Sequence, residues 1–130
     1  MTDDNTAEWA PGSSFPSLAY TEATICDCLG IEPETLQALV AVDRVLQVTP
    51  GEARPVYPAF QVTDDGSLLS GLDAVICELA GGVDDPWTWW MWLLAHPDYA
   101  GGKALWELLR DGETDEVVRA AGRSAWAWRP

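Results

Sequence analysis

Apolar and polar positions alternate along this chain with two periods, and the change of period marks its organisation. Leu18, Ile25 and Leu29 recur at helical spacing around Thr21, which can cap a helix, and Glu22, which falls in the favourable first turn. A helix is predicted over Thr21–Leu29. Gly30 interrupts it, and a second helix is predicted from Pro33 to about Val42, with Leu36, Leu39 and Val40 inward. The period then shortens to two over Val45–Thr49 and Val56–Val62, either side of a Pro50-Gly51 turn, which predicts a β-hairpin. Beyond the turn at Asp64-Asp65-Gly66 the helical period returns. Leu72, Val75, Ile76 and Leu79 predict a helix that begins at Ser70, with Asp73 completing a capping box, and stops at Gly81-Gly82. Leu105, Trp106, Leu108 and Leu109 predict another over Lys103–Asp111, stopped by Gly112. Thr114 is the expected cap of a final helix running from Asp115 to about Trp126.

Between these lies Asp84–His96, DDPWTWWMWLLAH, with Trp87, Trp89, Trp90 and Trp92. Asp85 is the expected N-cap and Pro86 suits the first helical position. Pro97 disfavours helix at the residue before it, so a helix of about three turns is predicted over Pro86–Ala95. Successive residues advance by about 100 degrees, which spreads the four indoles round most of the cylinder. A helix apolar all round is expected to be buried all round, by the rest of its domain or by a partner. It is too short to span a bilayer.

Composition adds an asymmetry. The net charge is −14 over 130 residues. Such a surface repels phosphate backbones. Val117–Pro130 departs from it, holding Arg119, Arg123 and Arg129, Trp126 and Trp128, and no acid. Three cysteines, Cys26, Cys28 and Cys77, and a polar acidic start after Met1 point to a reducing, cytoplasmic setting. Residues 1–16, rich in proline, glycine and serine and anchored only by Trp9, read as a disordered arm.

Catalytic chemistry finds little support. His96, the single histidine, sits at a helix end with no nameable partner, and reads as a cap or packing residue. Cys26 and Cys28 point to different helix faces and lack the further ligands zinc requires, so they read as buried thiols. Asp64-Asp65 and Asp84-Asp85 lie where aspartate serves turns and caps. No phosphate-binding glycine loop or nucleophile elbow is present. The expectation is a non-enzyme with no cofactor and no metal. The second helix of the helix–turn–helix pattern would be the DNA reader, yet its region offers Glu32, Glu34, Gln37 and Asp43 against a single Arg44. DNA binding is expected to be weak or absent.

Several segments together resemble one family. They are YPAFQV (Tyr57–Val62), DDGSLLSGLDAVICEL (Asp64–Leu79), the DPW of Asp85–Trp87 and KALWELLRDGETDEVVRAAG (Lys103–Gly122). Their combination is similar to the toxin-binding domain of Xre/MbcA/ParS-type antitoxins, over roughly residues 54–123. Tyr20–Val48 is similar to the divergent helix-turn-helix these antitoxins often carry. The resemblance implies a type II toxin–antitoxin system, with a cognate RES-type toxin that consumes NAD and whose active-site cleft the antitoxin's C-terminal region covers. The chain departs from the family where Lys103-Ala104 replaces threonine-proline, and its acidic helix-turn-helix argues against promoter binding.

The resulting expectation is a mainly α fold: an arm over 1–16, a small helix-turn-helix with a β-hairpin over 17–62, and a four-helix toxin-binding domain over 63–130. The partner-binding residues are expected to be Arg119, Arg123, Trp126, Trp128 and Arg129. Trp126 either joins that interface or folds back onto the core, while Trp128 and Arg129 extend past the helix end. Removing Ser124–Pro130 is expected to leave a folded protein that protects poorly. The partners expected are the toxin and no membrane, and the pattern admits a homodimer within a hetero-oligomeric complex. Two other functions fit the same residues: a helix-turn-helix transcription regulator without a toxin, and an acidic nucleic-acid mimic.

Overall fold

A computed structural model describes residues 16–129. The arm expected over 1–16 therefore lies outside the described residues except for Pro16, and so does Trp9. The fold is mainly helical with one small antiparallel sheet. The chain divides into two compact units between Leu68 and Leu69, so the turn at Asp64–Gly66 belongs with the first unit rather than the second.

The first unit contains β1 (Ala19–Tyr20), α1 (Glu22–Leu29), α2 (Pro33–Ala41), β2 (Tyr57–Pro58) and a 3-10 turn over Ala59–Gln61. Thr21 caps α1 by accepting from the Thr24 N–H at 3.3 Å. Pro33 opens α2, where its missing N–H costs nothing. Ile25, Cys26, Leu36, Val45 and Tyr57 form the centre of this unit's core. Leu18, expected on the apolar face, is exposed instead; its carbonyl accepts from the Ala59 N–H at 2.9 Å.

The hairpin is smaller than its sequence pattern. Val48 and Val56 exchange both backbone hydrogen bonds, at 2.9 and 2.7 Å, across the Pro50-Gly51 turn. There the pairing stops, and the Leu46 backbone is bonded by a side chain instead. Gln61 is fully buried; its Oε1 accepts from the Leu46 N–H at 2.7 Å and its Nε2 donates to the Leu46 carbonyl at 2.9 Å. β2 pairs instead with β1, in the register Ala19↔Pro58 and Tyr20↔Tyr57. Pro58 has no N–H to give a ladder and the chain turns 3-10 directly after it, so the strand expected over Val56–Val62 is cut to two residues.

The second unit contains four α-helices, α3 (Leu72–Ala80), α4 (Pro86–Leu94), α5 (Leu105–Arg110) and α6 (Thr114–Trp128), with a 3-10 turn over Asp98–Ala100 between α4 and α5. The helical period of α3 holds, with Leu72, Val75, Ile76 and Leu79 all buried. Its start differs from expectation. Gly71, not Ser70, is the N-cap, at φ +87°, and its side-chain-free Cα is needed for room: a Cβ there would lie 2.6 Å from Thr114 Cγ2. Thr114 is accordingly inside α6 and is not its cap. The start of α5 is capped from one side only, by Glu107 Oε1 accepting from the Ala104 N–H at 2.9 Å, since alanine has no side-chain acceptor to return.

α4 begins as expected. The Asp85 carboxylate accepts from the Trp87 N–H at 3.2 Å and the Thr88 hydroxyl at 2.8 Å. Its burial is one-sided rather than complete: Trp89, Trp90 and Leu93 are buried, Trp87 and Trp92 are half-buried, and Met91 is exposed. The two outer indoles are accommodated by specific partners. Trp87 stacks on Trp90 with centroids 5.6 Å apart, and Trp92 Nε1 donates to Ser124 Oγ on α6 at 2.9 Å. Trp89 Nε1 donates to the Val83 carbonyl at 2.9 Å, which joins the loop before α4 to the helix itself. Among the described residues no helix is long and apolar enough to cross a membrane.

Candidate protein interface

α6 is strongly amphipathic, with one side buried and the other exposed. Val117, Ala120, Ala121 and Ala125 are buried, and α3 is the helix it packs on most closely. Small residues let the two backbones meet. A Cβ on Gly82, just past α3, would lie 2.4 Å from the Ala125 carbonyl oxygen, so nothing larger than glycine fits without moving the helix. One turn earlier Gly122 makes room for a side chain from α3: a Cβ at Gly122 would come within 2.9 Å of Glu78 Oε1.

The opposite side carries Arg119, Arg123 and Trp126, at i, i+4 and i+7, on one exposed stripe. With Val118, Gly122 and Glu78 these three line an open cleft of about 650 Å³. Trp126 is 73% exposed, the most exposed large apolar side chain among the described residues. Trp126 therefore does not fold back onto the core. Arg129 continues the stripe, three residues beyond Trp126, and reaches the end of α3. Its Nη2 would be 3.6 Å from a Cβ on Gly81. A cation is favoured there by the partial negative charge at a helix C-terminus.

Trp128 departs from the sequence expectation in two ways. It is the last residue of α6 rather than an extension past it. It also stands about 200 degrees from Trp126 round the helix axis, on the side that carries Ser124 and Ala125, and is 36% exposed. The structure thus brings Arg119, Arg123, Trp126 and Arg129 together and leaves Trp128 off their stripe. The pattern reading missed Glu78, Gly122 and Val118. Glu78 falls on the flank of the face formed by Leu72, Val75, Ile76 and Leu79, about 100 degrees from its centre, so the α3 wheel gave it no distinct signal.

The arginines of the stripe are electrostatically unlike the other bases of the second unit. Lys103 pairs with Asp111 at 2.5 Å, and Arg110 lies within ion-pair distance of Glu107 and Asp111 and 5.1 Å over the Trp106 ring. The hydrogen bond from Lys103, reinforced by both positive charges, holds the Asp111 carboxyl below the usual aspartate range. No carboxylate of the described residues comes within ion-pair distance of Arg119, Arg123 or Arg129.

The remaining sequence candidates have structural tasks. His96 is exposed and its Nδ1 lies 3.0 Å from the Gly102 carbonyl, closing the loop between α4 and α5. Asp65 accepts from the Thr63 hydroxyl and the Ser67 N–H within its turn, and these bonds lower its carboxyl below the usual range. Of the cysteines only Cys26 is buried; Cys28 and Cys77 are exposed, which corrects the reading of Cys26 and Cys28 as a pair of buried thiols. Burial, aided by the nearby charges of Glu22, Asp27, Glu32 and Glu34, raises the Cys26 thiol above its ordinary value and keeps it protonated. Among the described residues no group of three or more histidines, cysteines or acids is placed to hold a metal ion.

No protein-family model matches the chain, and no curated protein matches it in sequence. A solved structure does match in fold. The NMR structure of Rv2175c aligns with a TM-score of 0.71 over 82% of this chain and 80% of that one, at 18% sequence identity. At that identity the likeness bears on the fold alone.

Proposed function

We propose that this protein is an antitoxin of the Xre/MbcA/ParS type, acting in the cytoplasm, which binds and masks an NAD-consuming RES-type toxin through the outer stripe of α6. The observation that carries the proposal is Trp126, an indole 73% exposed one turn beyond Arg123 on the stripe that starts at Arg119. Exposed tryptophan has no stabilising task, whereas tryptophan and arginine dominate the energetics of protein interfaces. The stripe lies in the C-terminal region, which the sequence resemblance implicates in covering the toxin. A DNA-reading task is less well supported, because Glu32, Glu34 and Gln37 are exposed on and beside α2 and only Arg44 offers a counter-charge.

The experiment is co-expression with a RES-type toxin, with cellular NAD as the readout. Deleting Ser124–Pro130 is the wrong variant, since it removes buried Ala125 and the Ser124 hydroxyl bonded to Trp92. Trp126→Ala and Arg123→Ala leave both in place. Wild type is expected to preserve NAD, and the W126A/R123A pair to preserve it poorly while melting like wild type. Failure of the wild-type protein to bind or neutralise the toxin would reject the proposal. Nanomolar binding to its own upstream DNA at physiological salt would favour a transcription regulator instead.

A further inference from the structure

The second unit holds a local reversal of charge whose chemistry identifies more than a docking face. Resting on the reading of α6 as that face, we infer that the partner surface it receives is acidic: a polypeptide segment carrying carboxylates for Arg119 and Arg123 around an apolar side chain seated against Trp126. The chain carries 21 acids and 7 bases, and three of those bases stand along this one stripe. Lys103 and Arg110 already have carboxylates, while Arg119, Arg123 and Arg129 have none among the described residues. An unpaired guanidinium is a bidentate donor aimed at solvent, and its best protein partner is a carboxylate.

Geometry narrows the match. Arg119 and Arg129 are ten residues apart on or just past a helix, about 15 Å. The acids must therefore be spread along an extended segment or a second helix, not gathered at one point. The cleft is lined by Val118, the Gly122 backbone and the Trp126 ring, which suits an aliphatic or aromatic side chain, with Glu78 on its α3 wall, so the partner's carboxylates must meet the exposed guanidiniums on the side away from Glu78. Charge also sets orientation. A basic partner would be attracted to the acidic surface of this molecule in many poses. An acidic segment is repelled by most of that surface and meets attraction at this stripe, so it selects one pose.

The test uses the full chain and a fluorescently labelled random copolymer of glutamate and tyrosine, with a lysine–tyrosine copolymer and a single-stranded oligodeoxynucleotide of matched charge number as the other arms. Anisotropy titrations should show binding of the glutamate–tyrosine copolymer that weakens as salt is raised. The R119E/R123E pair should lose on the order of tenfold in affinity. The R119K/R123K pair, which keeps the charge and loses the fork, should fall between wild type and R119E/R123E, and Trp126→Ala should weaken binding with no change in melting temperature. Undiminished binding by R119E/R123E, or no binding by wild type, overturns the inference. So does an oligonucleotide bound more tightly than the copolymer through the same arginines, which would make the partner a nucleic acid. The cellular assay separates this from the antitoxin reading. Full neutralisation of the toxin by R119E/R123E removes the acidic-partner inference and leaves the antitoxin standing. Copolymer results as expected, beside a wild type that fails to neutralise, remove the antitoxin reading alone.

Discussion

Trp90 and Trp126 are the same residue in the same unit, put to opposite uses. Trp90 is fully buried on α4, stacked on Trp87, and its helix supplies two further indoles whose N–H groups are bonded to Val83 and Ser124. Trp126 stands 73% exposed on α6 with two arginines beside it. What separates them is the company each keeps round its own helix. On α4 nearly every neighbour is apolar, so burial of any side is favourable, and the Trp89 and Trp92 N–H groups find hydrogen-bond partners. On α6 the apolar stripe is built of alanine and valine, small enough for backbone contact with Gly82, and Trp126 falls on the opposite side of the helix, where it stays exposed.

Substitutions should widen or collapse this contrast in a definite order. Trp90→Ala should be the most damaging, at about 3–5 kcal/mol, because a fully buried indole leaves a cavity its neighbours cannot fill. Thermal or urea unfolding measures it, and a loss under about 1 kcal/mol would mean that α4 is not the core of its unit. Gly82→Ala should cost about 1–3 kcal/mol, since the new Cβ must push the Ala125 backbone away. A stability equal to wild type would show that α6 is free to shift. Trp92→Phe keeps the ring and removes the bond to Ser124, for an expected loss of about 0.5–1.5 kcal/mol. A double-mutant cycle with Ser124→Ala should return a coupling of similar size, and a coupling of zero would assign that contact no energetic weight. Trp126→Ala should stay within about 0.5 kcal/mol of wild type. A larger loss would place Trp126 in the core after all and erase the contrast.

Periodicity made the helices legible. The ranges read from Leu72, Val75, Ile76 and Leu79, and from Pro86 with its Asp85 cap, agree with α3 and α4 to within two residues. The helix starts at Gly71 and Glu113 were not legible, because what decides them is the contact between Gly71 and Thr114, which are more than forty residues apart in sequence. The strand pairing escaped for a similar reason. Tyr57 is β-rich in character wherever it pairs, and only the tertiary fold brings Ala19–Tyr20 beside it while Gln61 occupies the backbone of Leu46. In the candidate interface Arg119, Arg123 and Trp126 were legible from their spacing. Trp128 is expected past the helix end because the sequence pattern ends α6 two residues early, and a tryptophan past a helix end has no fixed azimuth. Glu78 belongs to a different helix, and no local pattern ties it to Gly122.

The contact between Gly82 and the Ala125 carbonyl has a consequence for the tempo of the binding proposed for α6. Backbone wedged against backbone fixes the rotation of α6 about its own axis, so the outward stripe is held at a set angle before any partner arrives. Such a surface has little order left to acquire, and the entropy that a folding-on-contact segment gives up is largely absent here. Association on α6 should then show single-exponential kinetics with a rate set by diffusion and charge, falling as ionic strength rises. Its heat-capacity change should match the apolar area covered, without the excess that accompanies coupled folding. Loosening the wedge, as Gly82→Ala would, should slow capture without touching any side chain that meets the partner.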